Sequence, residues 1–237
     1  MKRFLSLSVF MFLVTSPAAV LADETGFFAG LDVLGGVAGG SSDTTNGGAP
    51  VAGGGVAHDV DFGNTIGAGG HVGYRFTPAV STSLSYQHIR GDISWTADFP
   101  LFGGSSKYEG TAISNVVMGN IAYDHPLSNR LAVRGTLGLG LTFNSLSGIT
   151  ETDNPSGVFI SDVQDETKIS PVAQIGAGLR YHARDNIALG LDALFAYSGD
   201  FKTGNTRSGN LGVTSINPYE IEDVWRASLG VSLTIGF

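Results

Sequence analysis

Charge is scarce in this chain, so the few charges embedded in uncharged surroundings are informative. Asp32, Arg75, Arg134, Arg180, Asp192 and Arg226 each interrupt a segment otherwise built of apolar and small residues. A charge taken out of water without a partner is very costly, so these residues are expected to pair. Asp32 is expected to meet Arg75, and Asp192 to meet Arg180. Such a set could form a salt-bridged plug or a charged constriction in a narrow pore. His58, His71, His88, His125 and His182 show no metal-ligand spacing, and read as ordinary strand and loop residues. Acidic residues gather in 147–167, where Glu151, Asp153, Asp162, Asp165 and Glu166 stand with no basic residue. Asp43, Asp59 and Asp61 mark an earlier acidic stretch. Clustered carboxylates suit hard cations such as calcium, but the spacing is not that of an EF-hand loop. No nucleophile motif joins a Ser, a His and an acid, and no paired acids stand out. The sequence therefore assigns no catalytic residue, metal ligand or cofactor.

The elements that must position these charges are strands. From 131 to 145, Leu131, Val133, Leu137, Leu139, Leu141 and Phe143 alternate with Ala132, Arg134, Thr136, Gly138, Gly140 and Thr142. A period of two sustained this long is strand alternation. The same pattern occupies 187–198 and 225–237, with Trp225, Leu229, Val231, Leu233, Ile235 and Phe237 on one face. It recurs in 66–76 and 80–87, and less clearly in 27–37 and 168–181. In 112–123 the pattern is ambiguous, with Val117, Ile121 and Tyr123 expected to share the apolar face. These segments predict eight strands and no helix.

Connections after the second, fourth and sixth strands are short, and carry turn residues such as Pro78, Pro126 and the Asp185-Asn186 pair. The other connections are long: 38–64, 91–109, 147–167 and 199–223. Alternating short and long links place all long loops at one end of the sheet. Loops of that length are uncommon in compact soluble domains and normal on the outer end of a transmembrane barrel. The glycines of 39–40 and 53–55 give the first loop a flexible composition.

Composition decides which face is wet. Gly numbers 35 of 237 residues, charged residues are 14%, and there is no Cys. The lack of Cys excludes disulfide frameworks and thiolate metal sites. With 13 basic residues against 21 acidic ones, the chain is a poor nucleic-acid binder. The small and polar face suits a narrow lumen, whereas the bulky, uncharged face suits lipid. In a bilayer the sheet must close to satisfy its backbone, and eight strands leave an interior that side chains can fill. Phe27, Tyr74, Phe76, Tyr123, Tyr181 and Phe237 lie near the short-turn end, and Phe143, Phe195, Tyr197 and Trp225 near the other, as two interfacial girdles would.

Residues 1–22 read as a cleaved signal peptide, with Lys2 and Arg3 before an apolar stretch and small residues ending at Ala22. Residues 23–237 form the mature barrel, with 11 basic against 21 acidic residues and a net charge of −10.

Gly26-Phe27-Phe28-Ala29-Gly30, Gly73-Tyr74-Arg75-Phe76-Thr77-Pro78, Leu84-Ser85-Tyr86, Asn115-Val116-Val117-Met118-Gly119-Asn120 and Gly176-Ala177-Gly178-Leu179-Arg180-Tyr181 occur in order along the chain. This succession resembles the OmpA-like outer-membrane β-barrel family, including its opacity-type surface barrels. The terminal Phe237, after alternating apolar residues, is similar to the C-terminal signal read by the barrel assembly machinery. The resemblance departs in one respect: no peptidoglycan-binding domain follows Phe237.

The expectation is an all-β, eight-stranded, antiparallel, up-and-down transmembrane barrel with short periplasmic turns and four long extracellular loops. It would be a monomer in the outer membrane of a Gram-negative bacterium. It would stabilise the envelope and present its loops to lipopolysaccharide, through bridging divalent ions, and to a host or surface ligand. A narrow porin is the alternative and a membrane hydrolase the third reading. If the lumen charges are the plug, replacing Arg180 with Ala should raise conductance.

Overall fold

The computed structural model describes residues 25–42, 55–100, 103–210 and 212–237. The expected signal peptide and Asp43, Gly53 and Gly54 of the first long connection lie outside these residues. The described residues contain strands and no helix. In chain order these are β1 (Gly26–Ser41), β2 (Val56–Arg75), β3 (Val80–Phe99), β4 (Gly104–Pro126), β5 (Leu131–Asp153), β6 (Phe159–Val163), β7 (Glu166–Arg184), β8 (Ile187–Lys202), β9 (Thr206–Gly209), β10 (Gly212–Ser215) and β11 (Glu220–Gly236). Eight of them, β1 to β5, β7, β8 and β11, form an antiparallel ring. The ring closes where β1 pairs with β11, from Phe28 opposite Gly236 to Gly39 opposite Trp225.

Ring strands run from 16 residues in β1 to 23 in β4 and β5. Crossing a bilayer takes only about 9–11 residues of tilted strand. The wall therefore continues well beyond the lipid. Of the segments read as long loops, most is ladder. Residues 91–99 and 104–109 belong to β3 and β4, and 147–153 to β5. Gly39, Gly40 and Ser41 lie in β1, while Asp59 and Asp61 lie in β2.

The reason is visible along β3. Inward positions run Ser81, Ser83, Ser85, Gln87, Ile89, Ile93, Trp95 and Ala97; outward ones run Leu84, Tyr86, His88, Arg90, Asp92, Ser94 and Asp98. Near Tyr86 the two faces exchange polarity. Below that level the outside meets lipid and is apolar. Above it the outside meets water, and the apolar residues turn inward. The exposed belt Phe27, Tyr123, Tyr181 and Phe237 bounds the lipid band at the turn end, and Tyr86, Phe143, Phe195, Tyr197 and Trp225 bound it above. Phe27 meets Tyr74 edge-on at 5.0 Å, and Phe195 stacks on Trp225 at 6.1 Å.

The protruding wall encloses its own core. Trp95 stacks on Tyr108 with ring centres 5.1 Å apart, and the Tyr108 and Tyr219 hydroxyls are hydrogen-bonded at 3.2 Å. Phe62, Ile93, Leu146, Ile149, Phe201 and Ile221 complete the cluster. Glu151, one of the acidic residues gathered in 147–167, is 1% exposed. It accepts hydrogen bonds from Ser106 (2.9 Å), Ser161 (2.6 Å) and Arg207 (2.8 Å). Arg207 also donates to Thr214, so this carboxylate anchors the β9–β10 hairpin to β4, β5 and β6. Gly148, at φ 62°, breaks the alternation of β5 below this anchor. Asp165 holds the break by accepting from the Gly148 amide at 2.9 Å and from the Ser147 hydroxyl at 2.7 Å.

On the outer flank, Lys168 lies 3.1 Å from Asp200 and 3.6 Å from Glu220, and Lys202 lies 3.0 Å from Glu220. Lys202, with Lys168 assisting, holds the Glu220 carboxyl below the usual carboxylate range despite partial burial. Burial opposes the charge of Lys168, but Asp200 and Glu220 outweigh it and hold the ammonium above its usual range.

Two outcomes follow for the protrusion. Trp95→Ala removes a buried aromatic and should cost about 3–5 kcal/mol. Limited proteolysis should then cut the wall above Tyr86 while the lipid band keeps its folded migration on gels. For Glu220, a lowered folded pKa means stabilisation present above pH 4.5 and lost as pH falls through the folded value. The stability difference between wild type and Glu220→Gln should therefore be measurable at neutral pH and vanish under acid, read by thermal unfolding in micelles.

Candidate functional site

The expected charge cluster resolves into three places along the lumen. Arg134 donates to both carboxylate oxygens of Asp124, at 2.7 and 2.5 Å, and both side chains are buried. The pair is set by register, because β4 and β5 place Asp124 opposite Arg134. Arg180 and Asp192 line the same chamber as Arg134. Arg180 is 3% exposed, and its Nε and Nη1 have no hydrogen-bond partner among the described residues. Asp192 lies opposite Gly178, one diagonal step from Arg180, but the two make no ion pair within 4 Å among the described residues. The expected Asp192–Arg180 bridge is thus a proximity rather than a contact.

The Asp32–Arg75 pairing is corrected outright. In the β1–β2 register, Asp32 faces Gly69 and Arg75 faces Gly26, six residues away at the turn end. Asp32 meets His71, whose Nδ1 lies 2.9 Å from the carboxylate. His71 Nε2 lies 3.3 Å from the Thr234 hydroxyl. Gly30 makes room for this ring. A methyl group there would meet the imidazole and come within 2.6 Å of the Leu233 carbonyl oxygen.

Asp32, His71 and Thr234 form an acid–imidazole–hydroxyl sequence of the kind used in acyl transfer. Thr234 is 3% exposed, however, and the adjoining chamber is about 90 Å³, room for a few waters. The arrangement satisfies buried polar groups in the wall.

Arg226 stands apart, 5% exposed beside a void of about 20 Å³ and near Phe62, Ile89 and Phe201. Between it and the charged chamber lies an apolar layer of Leu34, Ile89, Val116, Met118 and Val172, with Leu194 packed against it. The small and polar face expected for the lumen is interrupted here by an apolar layer. Above this layer Asn144, fully buried, accepts from Ser114 (2.7 Å) and Thr142 (2.8 Å) and donates to the carbonyls of Ser198 (2.7 Å) and Asp200 (3.0 Å). Its amide braces β5 against β8 across the inner face of β7. Paired charges, an apolar layer, an amide brace and the protruding core thus follow one another along the lumen.

The sequence reading leaves Asp124 out of the lumen charges and gives His71 no role. Asp124 is reached by extending the inward positions of β4 through Met118, Asn120 and Ala122. His71 already stood on the lumen face of β2; its role needed the register that brings it diagonally to Asp32. Phe237 is strongly exposed, and its amide donates to the Phe27 carbonyl at 2.9 Å, closing the ring at its lower edge. Among the described residues no group of three or more His, Asp or Glu side chains is placed to hold a metal ion.

The family model described as the outer membrane protein beta-barrel domain matches residues 6–217. No curated protein matches. Among solved structures, OprG, an outer membrane protein of Pseudomonas aeruginosa, is 14% identical, with TM-score 0.53, over 92% of this chain and 100% of that one. The outer membrane protease OmpT of Escherichia coli is 9% identical, with TM-score 0.50, over 92% and 99%. The Neisserial surface protein NspA is 15% identical, with TM-score 0.48, over 90% and 97%. At these identities the likeness is one of fold.

The buried Asp124–Arg134 pair generates a test. Removing one partner leaves an uncompensated buried charge, so Asp124→Ala should cost about 3–5 kcal/mol in urea unfolding from micelles. Asp124→Ala combined with Arg134→Met should recover most of that loss. Equal losses in the single and double variants would show that the pair's charge balance is unimportant.

Proposed function

The chain belongs to the outer membrane protein β-barrel domain family, and on that premise we propose that it is a non-enzymatic barrel that stabilises the envelope and interacts through its extracellular wall. It resides in the outer membrane of a Gram-negative bacterium, among lipid and lipopolysaccharide. The observation that carries the proposal is the lumen itself, blocked by apolar packing on both sides of the Asn144 brace. A wall that fills its interior above the membrane presents a fixed surface, and the β9–β10 hairpin anchored by Glu151 is its projecting element. Phe237 would serve as the signal for the assembly machinery, and the folded barrel would act as a monomer.

Planar bilayer recording tests this reading. The wild-type barrel should show no discrete conductance steps. Because apolar layers as well as charges close the lumen, Arg180→Ala should stay silent too, contrary to the sequence expectation for a purely charged plug. Discrete steps in the wild type would favour the narrow porin. For the surface role, replacing 208–213 with a short linker, which keeps Arg207 on Glu151, should reduce attachment of barrel-expressing cells to their target surface, with the amount of folded barrel unchanged.

A further inference from the structure

The turn end of the barrel holds a cleft that the lumen chemistry does not use. It encloses about 250 Å³ and is lined by Arg75, Arg130, His182 and Arg184, with Asp185 as the one carboxylate. Its parts come from different elements: Arg75 from the end of β2, Arg130 from the β4–β5 turn, and His182 and Arg184 from the end of β7. In a chain with 13 basic residues against 21 acidic ones, convergence of three guanidiniums on one opening is a local reversal of charge. Arg180, two residues before His182 on the same strand, lines the charged chamber and not the cleft. The neighbouring Arg134 is already engaged by Asp124.

We propose that this cleft binds a phosphate group presented from the periplasmic side. Guanidinium forks match the oxygen spacing of oxyanions and bind them in pairs of hydrogen bonds. A carboxylate offers two oxygens and one charge, enough for one fork. A phosphate offers more oxygens and up to two charges, and so can engage arginines arriving from separate turns. Phe76 and Tyr181, next in sequence to Arg75 and His182, are exposed on the outer face, so the cleft lies at the level of the lower aromatic belt, the depth at which lipid headgroups lie. The phosphate could therefore belong to an inner-leaflet phospholipid or be free in the periplasm; the chemistry recognised is the same. The proposal rests on the outer-membrane orientation and not on a closed lumen. Conducting bilayers would overturn the functional reading and leave this site standing.

The test uses the full folded barrel in an uncharged maltoside micelle, titrated by calorimetry with inorganic phosphate and, separately, with micelles doped with phosphatidylglycerol or with uncharged diacylglycerol. Saturable binding of phosphate or phosphatidylglycerol is expected, with none for diacylglycerol. Binding of phosphatidylglycerol without inorganic phosphate assigns the site to lipid; binding of both assigns it to the phosphate group alone. Arg130→Gln combined with Arg184→Gln should weaken binding by about tenfold or more, since two charge-assisted contacts are lost. Both residues lie at turns, and folded migration on gels confirms that the variant barrel is intact. Asp185→Asn removes the opposing carboxylate and should tighten binding. Absence of saturable binding to either phosphate source, or an Arg130→Gln/Arg184→Gln barrel that binds like wild type, overturns the proposal.

Discussion

In hydrocarbon there is no water to satisfy a peptide group, so a wall of strands can exist there only if every inner and outer edge is paired. The β1–β11 seam meets that demand here, and the other features depend on it. Closure fixes the register, and the register fixes which side chains share the lumen. It places Asp124 opposite Arg134, where two charges can neutralise each other out of water. It carries Arg75 down to the mouth, far from Asp32. Once the ring is closed, a strand has only an inside and an outside. The chain then distributes polarity according to what each side touches.

That distribution accounts for what the sequence disclosed. The membrane portion was legible because bulky apolar residues such as Leu84, Leu139 and Leu233 recur at a period of two against small or polar ones. The protruding portion reads as loop from the sequence although its period is also two. Ile93, Trp95 and Ala97 alternate with Ser94, Thr96 and Asp98 as cleanly as any membrane segment. The phase relative to Leu84 and Tyr86 is reversed, and the reversal breaks a pattern followed by eye along the strand. Gly148 and Asp223, at positive φ, further shift the alternation of β5 and β11. The lumen charges were legible as isolated charges, but their partners depended on pairing across strands. A one-strand pattern does not contain that pairing, and so it gives His71 no role.

The interior is built from layers that alternate in kind. The Asp124–Arg134 pair and the Asp32–His71–Thr234 chain keep polar groups satisfied where the wall is surrounded by lipid. The apolar layer of Leu34, Val116 and Met118 excludes water between them and the Asn144 brace. Asn144 uses its carbonyl oxygen and its amino group, so a single side chain holds hydroxyl and backbone groups from several strands at no cost in unpaired polarity. Arg180 and Arg226 depart from this economy, each buried without an ion pair within 4 Å among the described residues. One stands behind the basic mouth, and the other marks the boundary between the membrane barrel and the protrusion.

The reversal of polarity near Tyr86 also acts as a waterline. His88 and Arg90 follow it on the outer face, only two and four residues along the strand. Sinking the barrel by one residue pair would move the wall about 6.6 Å along the strand direction and draw these side chains toward hydrocarbon. A cationic side chain on the lipid face costs about 2–4 kcal/mol at mid-depth and little at the interface. Rising by the same step would strip lipid from the Phe27 and Phe237 belt. The depth at which the molecule floats is thus encoded in a few consecutive residues of one strand, and a membrane of different thickness must bend to the protein rather than the protein to it.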